Sequence, residues 1–275
     1  MAGKVTTIPM GTPILNIPAR VDKDHTSSVS GGLTVGRDAE TVAKTASRME
    51  VERIRLEAFS LFGLAYTTEE ILADSPISFA AILAAGFSDE FTSVLINERL
   101  NGIGVGQFTG INNSGSLITI TKETGQAAAT IVYQNVLKMR QRCWGYDKAQ
   151  WLANHDCLPQ LAQMNMSVGT GGIPIWMPSA REDVPDMLLG RPLVFSEYPA
   201  AIGSAGDLLC CNWSQFIEGT YQPLQSAESI HVRFLNHERA FKFWLRNAGA
   251  CWWRATLTPK HGATRSPFIA LGARA

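Results

Sequence analysis

Two hydrophobic periods alternate along the chain. After Met49, Ile54, Leu56 and Ala58 alternate with Arg53, Arg55 and Glu57, the two-residue period of a strand with one buried face. Between residues 76 and 100 the period lengthens. Phe79, Ile82, Leu83, Phe87, Phe91, Val94 and Leu95 recur at steps of three and four. That spacing predicts a helix with one apolar stripe, about 35 Å long at ~1.5 Å per residue. Asp74-Ser75-Pro76 supplies a start signal, a capping side chain ahead of a proline at the first helical position, and Asn101-Gly102 a stop.

A second helix is predicted over residues 127–142, on Ile131, Val132, Val136 and Met139, and a short one over 156–164 with Asp156 as its cap. Residues 67–72 read as a helical turn. Strands are predicted at 117–121, 149–153, 192–196, 207–212 and 268–271. A hairpin is expected around 218–225, and 229–235, 240–246 and 250–256 are strand-like. The mixture is α+β with antiparallel character, without regular βαβ alternation or a repeat of 20–50 residues.

Three stretches stand apart. Residues 1–24 carry Pro9, Pro13 and Pro18 among apolar side chains, which suits an extended arm or an edge strand. Residues 25–48 are rich in Ser, Thr and Gly and hold few large apolar side chains. They read as a flexible linker or as a long hairpin held by a partner. Residues 167–187 contain Gly169, Gly171, Gly172, Pro174, Pro178 and Pro185, and a loop of that length binds something or fits a neighbour.

The chain has 275 residues, 45% of them hydrophobic, which fits one large domain or two modest ones. Its 24 basic residues balance 24 acidic ones, so no whole-molecule field draws in nucleic acid or an anionic membrane. The longest apolar run, 79–87, is too short for a membrane span, and residues 1–10 lack the apolar core of a secretory signal. Five cysteines without a CxxC pair suggest a reduced, intracellular protein. Cys210 and Cys211 point to opposite faces if they share a strand, which suits packing better than a disulfide.

Candidate chemistry is sparse. Gly102, Gly104 and Gly106 follow a helix and open a loop, the reverse of the dinucleotide-binding order, and read as a capping turn. His155-Asp156-Cys157 has catalytic residue types, but a triad needs spatial rather than sequential neighbours. Histidines 25, 155, 231, 237 and 261 lack metal-ligand spacing. Trp244, Trp252 and Trp253 could form a platform for single-stranded nucleic acid, yet large aromatics more often serve a core or a subunit contact. No catalytic, cofactor-binding or metal residue is assigned.

Several segments are similar to one family in the same order. Leu188-Leu189-Gly190-Arg191-Pro192-Leu193-Val194-Phe195-Ser196-Glu197 is similar to a GxPVxxS strand. Gly206-Asp207-Leu208-Leu209-Cys210-Cys211-Asn212-Trp213-Ser214-Gln215-Phe216 is similar to a GDxxLxDxSxY strand. Residues 100–111 resemble an LnGxGxGqPtGi turn, with Phe108 where proline is common. Trp151-Leu152-Ala153-Asn154 resembles a WixN strand. Residues 234–249 resemble a strand and RxDG turn, from which Asn247-Ala248 departs, and Ser266-Pro267-Phe268-Ile269-Ala270-Leu271 resembles a closing strand. Together they resemble the tailed-bacteriophage major capsid proteins with the Hong Kong 97-like fold.

The resemblance implies a division into a short N-terminal arm (1–19), an extended-loop hairpin (20–50) and a peripheral domain (51–125) with a spine helix at 76–100. An axial domain (126–228), returning peripheral strands (229–256) and a C-terminal segment (257–275) with the closing axial strand complete it. It implies a non-enzymatic shell protein, forming pentamers and hexamers around double-stranded DNA without sequence-specific binding. Portal, scaffold, maturation protease and decoration proteins are the implied partners. The virion is the implied location, after assembly in the bacterial cytoplasm, with no membrane. Some shells of this fold crosslink a lysine to an asparagine beside an acid. Lys23 and Lys44 lie in or near the hairpin and Asn236 near the start of the returning strand, and with only Glu238 as a possible acid no crosslink is expected. An encapsulin-like compartment is the alternative within the class. A soluble enzyme using the glycine loop or His155 is the alternative outside it.

Overall fold

A six-stranded mixed sheet forms the centre of the larger core, in the order β5-β14-β11-β6-β10-β9. Its strands are β5 (Ile118–Ile120), β6 (Gln150–Asn154), β9 (Met187–Leu188), β10 (Arg191–Ser196), β11 (Leu208–Cys211) and β14 (Phe268–Leu271). The computed structural model describes every residue except 1–3, 21–22, 38–39, 41–42, 44–45, 76–77, 169–170, 177–185 and 275.

The central strands are buried on both faces, which is why they read as nearly continuous apolar runs. Alternate side chains go to two separate clusters. Trp151, Ala153, Leu208, Cys210, Ile269 and Leu271 pack toward one face, with Val136, Met139 and Leu161. Leu152, Leu209, Cys211, Phe268 and Ala270 pack toward the other, with Leu100, Phe108, Trp213 and Phe216. Cys210 and Cys211 therefore do face opposite ways, and all five cysteines are buried free thiols. Helices α3 (Tyr133–Arg142) and α4 (Leu158–Gln163) cover the first face.

A four-stranded sheet in the order β1-β12-β13-β4 leads away from this core. It comprises β1 (Thr6–Pro9), β4 (Phe59–Thr68), β12 (Phe216–Arg233) and β13 (Glu238–Cys251). Strands β12 and β13 form one long antiparallel hairpin from Phe216↔Cys251 to Arg233↔Glu238. Its register shifts between Thr220 and Gln222, Gln222 and Gln225, and Ser229 and Arg233. On one side of this sheet lies the longest helix, α2 (Phe79–Asn101), preceded by α1 (Glu69–Asp74). Arg99, in the last turn of α2, makes a bidentate ion pair with Glu218 of β12, and so ties the helix end to the start of the long hairpin.

Two further ribbons complete the fold. Strand β2 (Ile14–Arg20) pairs antiparallel with β3 (Val51–Glu57). Strand β7 (Asn165–Val168) pairs with β8 (Gly171–Pro174) within the region read as a long loop.

Several sequence expectations need correction. The helix expected over 127–142 begins only at Tyr133. Ala129 adopts a left-handed φ of 51°, and Val132 is extended, its amide donating to Asn135 Oδ1 at 3.2 Å. The hairpin expected at 218–225 is instead the middle of β12. The chain reverses at residues 234–237, where His237 takes the left-handed conformation. The strand expected over 250–256 stops at Cys251. Strand β4 was not anticipated. The cap at residue 156 is Asn154, whose side chain accepts from the Asp156 amide at 3.0 Å. The proline expected to start α2 lies outside the described residues.

Helix α2 also differs from expectation in its surroundings. Of the stripe, only Phe91 is buried, while Phe79, Leu83 and Phe87 are half-buried and Ile82 is exposed. The run 79–87 is short, yet α2 as a whole is long and apolar enough to cross a membrane by length and composition.

Candidate assembly surfaces

The features that stand out are unpartnered surfaces rather than a convergent pocket of reactive groups. The first is the stem of the β2–β3 ribbon. Leu56 and Ala58 pack with Met10, Ile217 and Ala248, which anchors the ribbon on the base of the long hairpin. Beside it, Thr258 pins the chain where it leaves β2: the His25 amide donates to Thr258 O at 2.8 Å, and the Thr258 amide to Lys23 O at 2.9 Å. Glu52 joins Lys23 at 2.9 Å and Arg254 at 3.2 Å. The hydrogen bond from Lys23, opposed by burial and helped by Arg254, holds the Glu52 carboxyl below its ordinary range.

Above this triad is a cleft of about 380 Å³ walled by Trp144, Trp252 and Trp253. The Trp144 and Trp253 rings lie 5.0 Å apart, and Trp253 Nε1 donates to Gln215 Oε1 at 3.1 Å. The adjacent tryptophans are not split between core and surface as strand alternation would require. Both lie beyond the end of β13 and both are half-buried. Trp244 is half-buried on β13, with the Lys242 ammonium 5.2 Å from its ring.

The second surface is the far end of the long hairpin. Phe234 and Leu235 at its apex are 67% and 93% exposed, and Ile230 and Val232 beside them are exposed as well. Asn236 and Glu238 lie in the same turn, and Lys23 is in the stem triad. Lys44 lies outside the described residues.

The third is the side of the four-stranded sheet opposite α2. Gly63 faces the helix, where Phe87 lies against it, and Phe243, paired with Gly63, contacts the same ring. Phe62, Leu64 and Tyr66 therefore point away from the helix and are exposed, with Trp244 and Lys242 beside them on β13.

The residues singled out for chemistry do not converge. The amides of Gly102, Gly104 and Gly110 donate to Glu98 O, Phe108 O and Gly102 O within the turn itself. Gly104 and Gly106 adopt φ of +80° and +70°, the backbone demand that selects glycine there. His155 is exposed and stacks on Phe195 at 6.0 Å. Cys157 is buried, and burial pushes its thiol up to about 12. No group of three or more His, Cys, Asp or Glu gathers among the described residues. Missing from the sequence-level list is Asp207, fully buried in an ion pair with Arg274. The GDxxL segment that carries it was visible; its partner more than sixty residues away was not.

Comparison with known proteins accounts for surfaces in place of a pocket. The phage capsid family model matches residues 5–252. None of the curated proteins compared matches the chain in sequence. Among solved structures, the capsid of a native GTA particle computed with C5 symmetry is similar over 100% of this chain and 89% of its own, with a TM-score of 0.76 at 14% identity. A protein of Microbacterium phage Oxtober96 is similar over 98% of this chain and 90% of its own, with a TM-score of 0.68 at 15% identity. One of Mycobacterium phage Bobi is similar over 98% and 88%, with a TM-score of 0.67 at 16% identity. At these identities the structures speak for the fold, and the family match speaks for kinship. The chain belongs to the phage capsid family, as a structural protein of the tailed-bacteriophage major capsid type with the α+β Hong Kong 97-like fold.

Proposed function

We propose that copies of this chain form pentamers and hexamers that close into an icosahedral shell around double-stranded phage DNA. The observation that carries this reading is the likeness over the full chain to a capsid subunit of a particle with five-fold symmetry. Exposed apolar surface supports it. Phe62, Leu64, Tyr66, Phe234, Leu235 and the helix α2 are arrayed on several sides of one chain. Head-to-tail contacts repeated around a ring need several such patches per subunit. On this reading α2 lies against neighbouring protein rather than in a membrane.

The division of labour follows the family pattern. The ribbon carrying residues 20–50 is the extended loop that overlaps a neighbour. Residues 51–125 and 229–256 form the peripheral domain around α2. Residues 126–228 with β14 form the axial domain, whose 167–187 segment meets its copies around the five- or six-fold axis. Enclosure of DNA is non-specific, in keeping with zero net charge. The protein acts without catalysis, a lysine–asparagine crosslink or a cofactor, and it meets portal, scaffold, protease or decoration proteins in the bacterial cytoplasm before residing in the virion.

Negative-stain electron microscopy of the purified protein across salt and protein concentration tests this. Rings or closed shells are the expected result. A uniform monomer under all conditions would overturn the reading.

A further inference from the structure

Many charged side chains of this chain neutralise one another. Glu52 takes Lys23 and Arg254, Glu123 takes Lys138, and Glu218 takes Arg99. Four cations that the fold brings together do not follow this pattern. Lys4, Arg140, Lys148 and Arg191 make no ion pair with a carboxylate among the described residues. Three of them come from distant parts of the sequence. Thr6 Oγ1 donates to Ser214 O at 3.0 Å, which seats the start of β1, and Lys4 with it, beside Ser214. Lys148 ends the turn before β6, its amide donating to Gly145 O at 3.0 Å. Arg191 opens β10 and donates through Nη1 to Asp147 O.

Lys4, Lys148 and Arg191 line one open cleft of about 330 Å³. The cleft has a single carboxylate, Asp147, and no large apolar side chain in its lining. Beside it, two guanidiniums share one ring: Arg140 and Arg191 lie over Tyr146, 4.9 and 5.8 Å from its centroid. The ring is fixed in turn, since Tyr146 Oη donates to Leu189 O at 3.0 Å and accepts from Trp151 Nε1 at 3.1 Å. A guanidinium stacked on a ring keeps its N–H edge free, and that planar fork matches a phosphate. Lys4, Arg140 and Lys148 are exposed and Arg191 is half-buried, so all four reach the surface.

Four cations around one acid make a local positive patch on a chain with no net charge. Small ions screen such a patch in water, and a polyanion that replaces them gains by releasing counterions. The cations extend from the cleft to the ring of Tyr146, which suits a row of phosphates better than one free anion. A membrane surface would need an apolar side chain to anchor in it, which this cleft lacks. We infer that Lys4, Arg140, Lys148 and Arg191 contact the phosphodiester backbone of the enclosed double-stranded DNA, and that the face carrying them lines the inside of the shell. This rests on the shell reading and names the surface that meets its contents. Phosphate contacts carry no sequence information, so the binding is blind to sequence.

Two experiments test it. In the first, a fluorescent DNA duplex is titrated with the purified protein between about 50 and 200 mM salt. Three to four phosphate contacts at about −0.9 each predict a slope near −3 for log K against log salt. Lys148→Gln and Arg191→Gln should each reduce that slope by about 1, alike for unrelated sequences, while Lys242→Gln on β13 leaves it unchanged. Slopes that match the wild type in both cleft variants would overturn the inference. So would complete competition by a few millimolar inorganic phosphate, the mark of a single-anion site. In the second, lysines of wild-type particles are acylated and read by peptide mass spectrometry, with DNA-filled and DNA-free particles side by side. This needs no variant to fold. Lys4 and Lys148 should react several-fold more slowly in filled particles only, with Lys242 equal in both. Equal reaction of Lys4 and Lys148 in the two would overturn the contact and leave the shell reading intact. Slow reaction in both would show a second copy of the chain covering the patch, and would overturn it too. If no particles form, the shell reading falls by itself, and the duplex titration still decides whether these cations hold DNA.

Discussion

Phe87 lies against Gly63, in the space that a side chain on that residue would fill. The ring of Phe243, the β13 partner of Gly63, sits 4.8 Å from Phe87 on the same side. The missing Cβ is thus what lets α2 lie close on the four-stranded sheet. A Gly63→Val substitution should lift the helix and cost roughly 1–3 kcal/mol of stability, the range for overpacking. Adding Phe87→Ala should recover part of that loss. Urea unfolding of the wild type and the two variants measures both effects.

The pair Asp207–Arg274 is fully buried on both sides. Asp207 also accepts from the Gly203 amide at 2.9 Å, and Arg274 Nη1 donates to Gly272 O at 3.0 Å. The pair therefore joins the loop before β11 to the segment after β14. Asp207→Ala should destabilise by about 3–5 kcal/mol, because it leaves a guanidinium buried without its counter-charge. Exchanging both residues for apolar ones of similar volume should cost much less. Denaturant midpoints at a common m-value decide the matter.

Two glutamates pull stability in opposite directions with pH. Lys23 and Arg254 lower the Glu52 pKa, so its contribution is complete above the ordinary carboxylate range and is lost as pH falls through the lowered value. Burial raises the pKa of Glu98, partly offset by a hydrogen bond from the Phe108 amide. The folded state then holds that proton more tightly than the unfolded one, so stability declines as pH rises from the ordinary value to the raised one. Glu52→Gln should flatten the acid limb of a stability–pH curve. Glu98→Gln should remove the decline and raise stability at neutral pH.

All five thiols are buried. Burial carries those of Cys157 and Cys251 up to about 12, and those of Cys210 and Cys211 well above the ordinary thiol value. Because the thiolate is the reactive form, the folded protein should resist a disulfide reagent at neutral pH and titrate fully only once unfolded. A fast-reacting thiol in the native protein would contradict the packing described for β11.

Leu235 at the hairpin apex separates folding from assembly. Leu235→Asp should leave the unfolding midpoint of the subunit nearly unchanged, within about 0.5 kcal/mol, as for exposed sites generally. On the shell reading it should sharply reduce particle yield, which sedimentation measures.

The elements legible in the sequence are those whose burial obeys a period. Strands β6, β11 and β14 alternate between two cores, and their apolar runs are correspondingly plain. Strand β12 was hidden because most of its residues beyond Gly219 are polar and exposed, so only pairing with β13 makes it a strand. Strand β4 was hidden for the opposite reason. Phe59, Leu61, Phe62, Leu64 and Tyr66 are apolar on both faces, and only one face is covered within the chain. Helix α3 was overextended because Ile131 and Val132 continue its apolar period, while the left-handed Ala129 and the bond from the Val132 amide to Asn135 set the true start. Of the candidate assembly surfaces, the hairpin apex lies in a segment that read as strand-like, whereas the face of β4 was not legible, because its exposure depends on contacts between distant segments. Phe62 and Trp244, nearly two hundred residues apart, meet only through the β4–β13 register.

The long hairpin is anchored at its root and irregular a short way out. Phe216 and Ile217 are locked in buried clusters, whereas the ladder with β13 slips twice between Thr220 and Gln225. A bulge disrupts the ladder locally, bends the strand that carries it and increases its twist. The direction in which the outer arm carries Leu235 is therefore set at Thr220–Gln225, outside the buried clusters that hold Phe216 and Ile217.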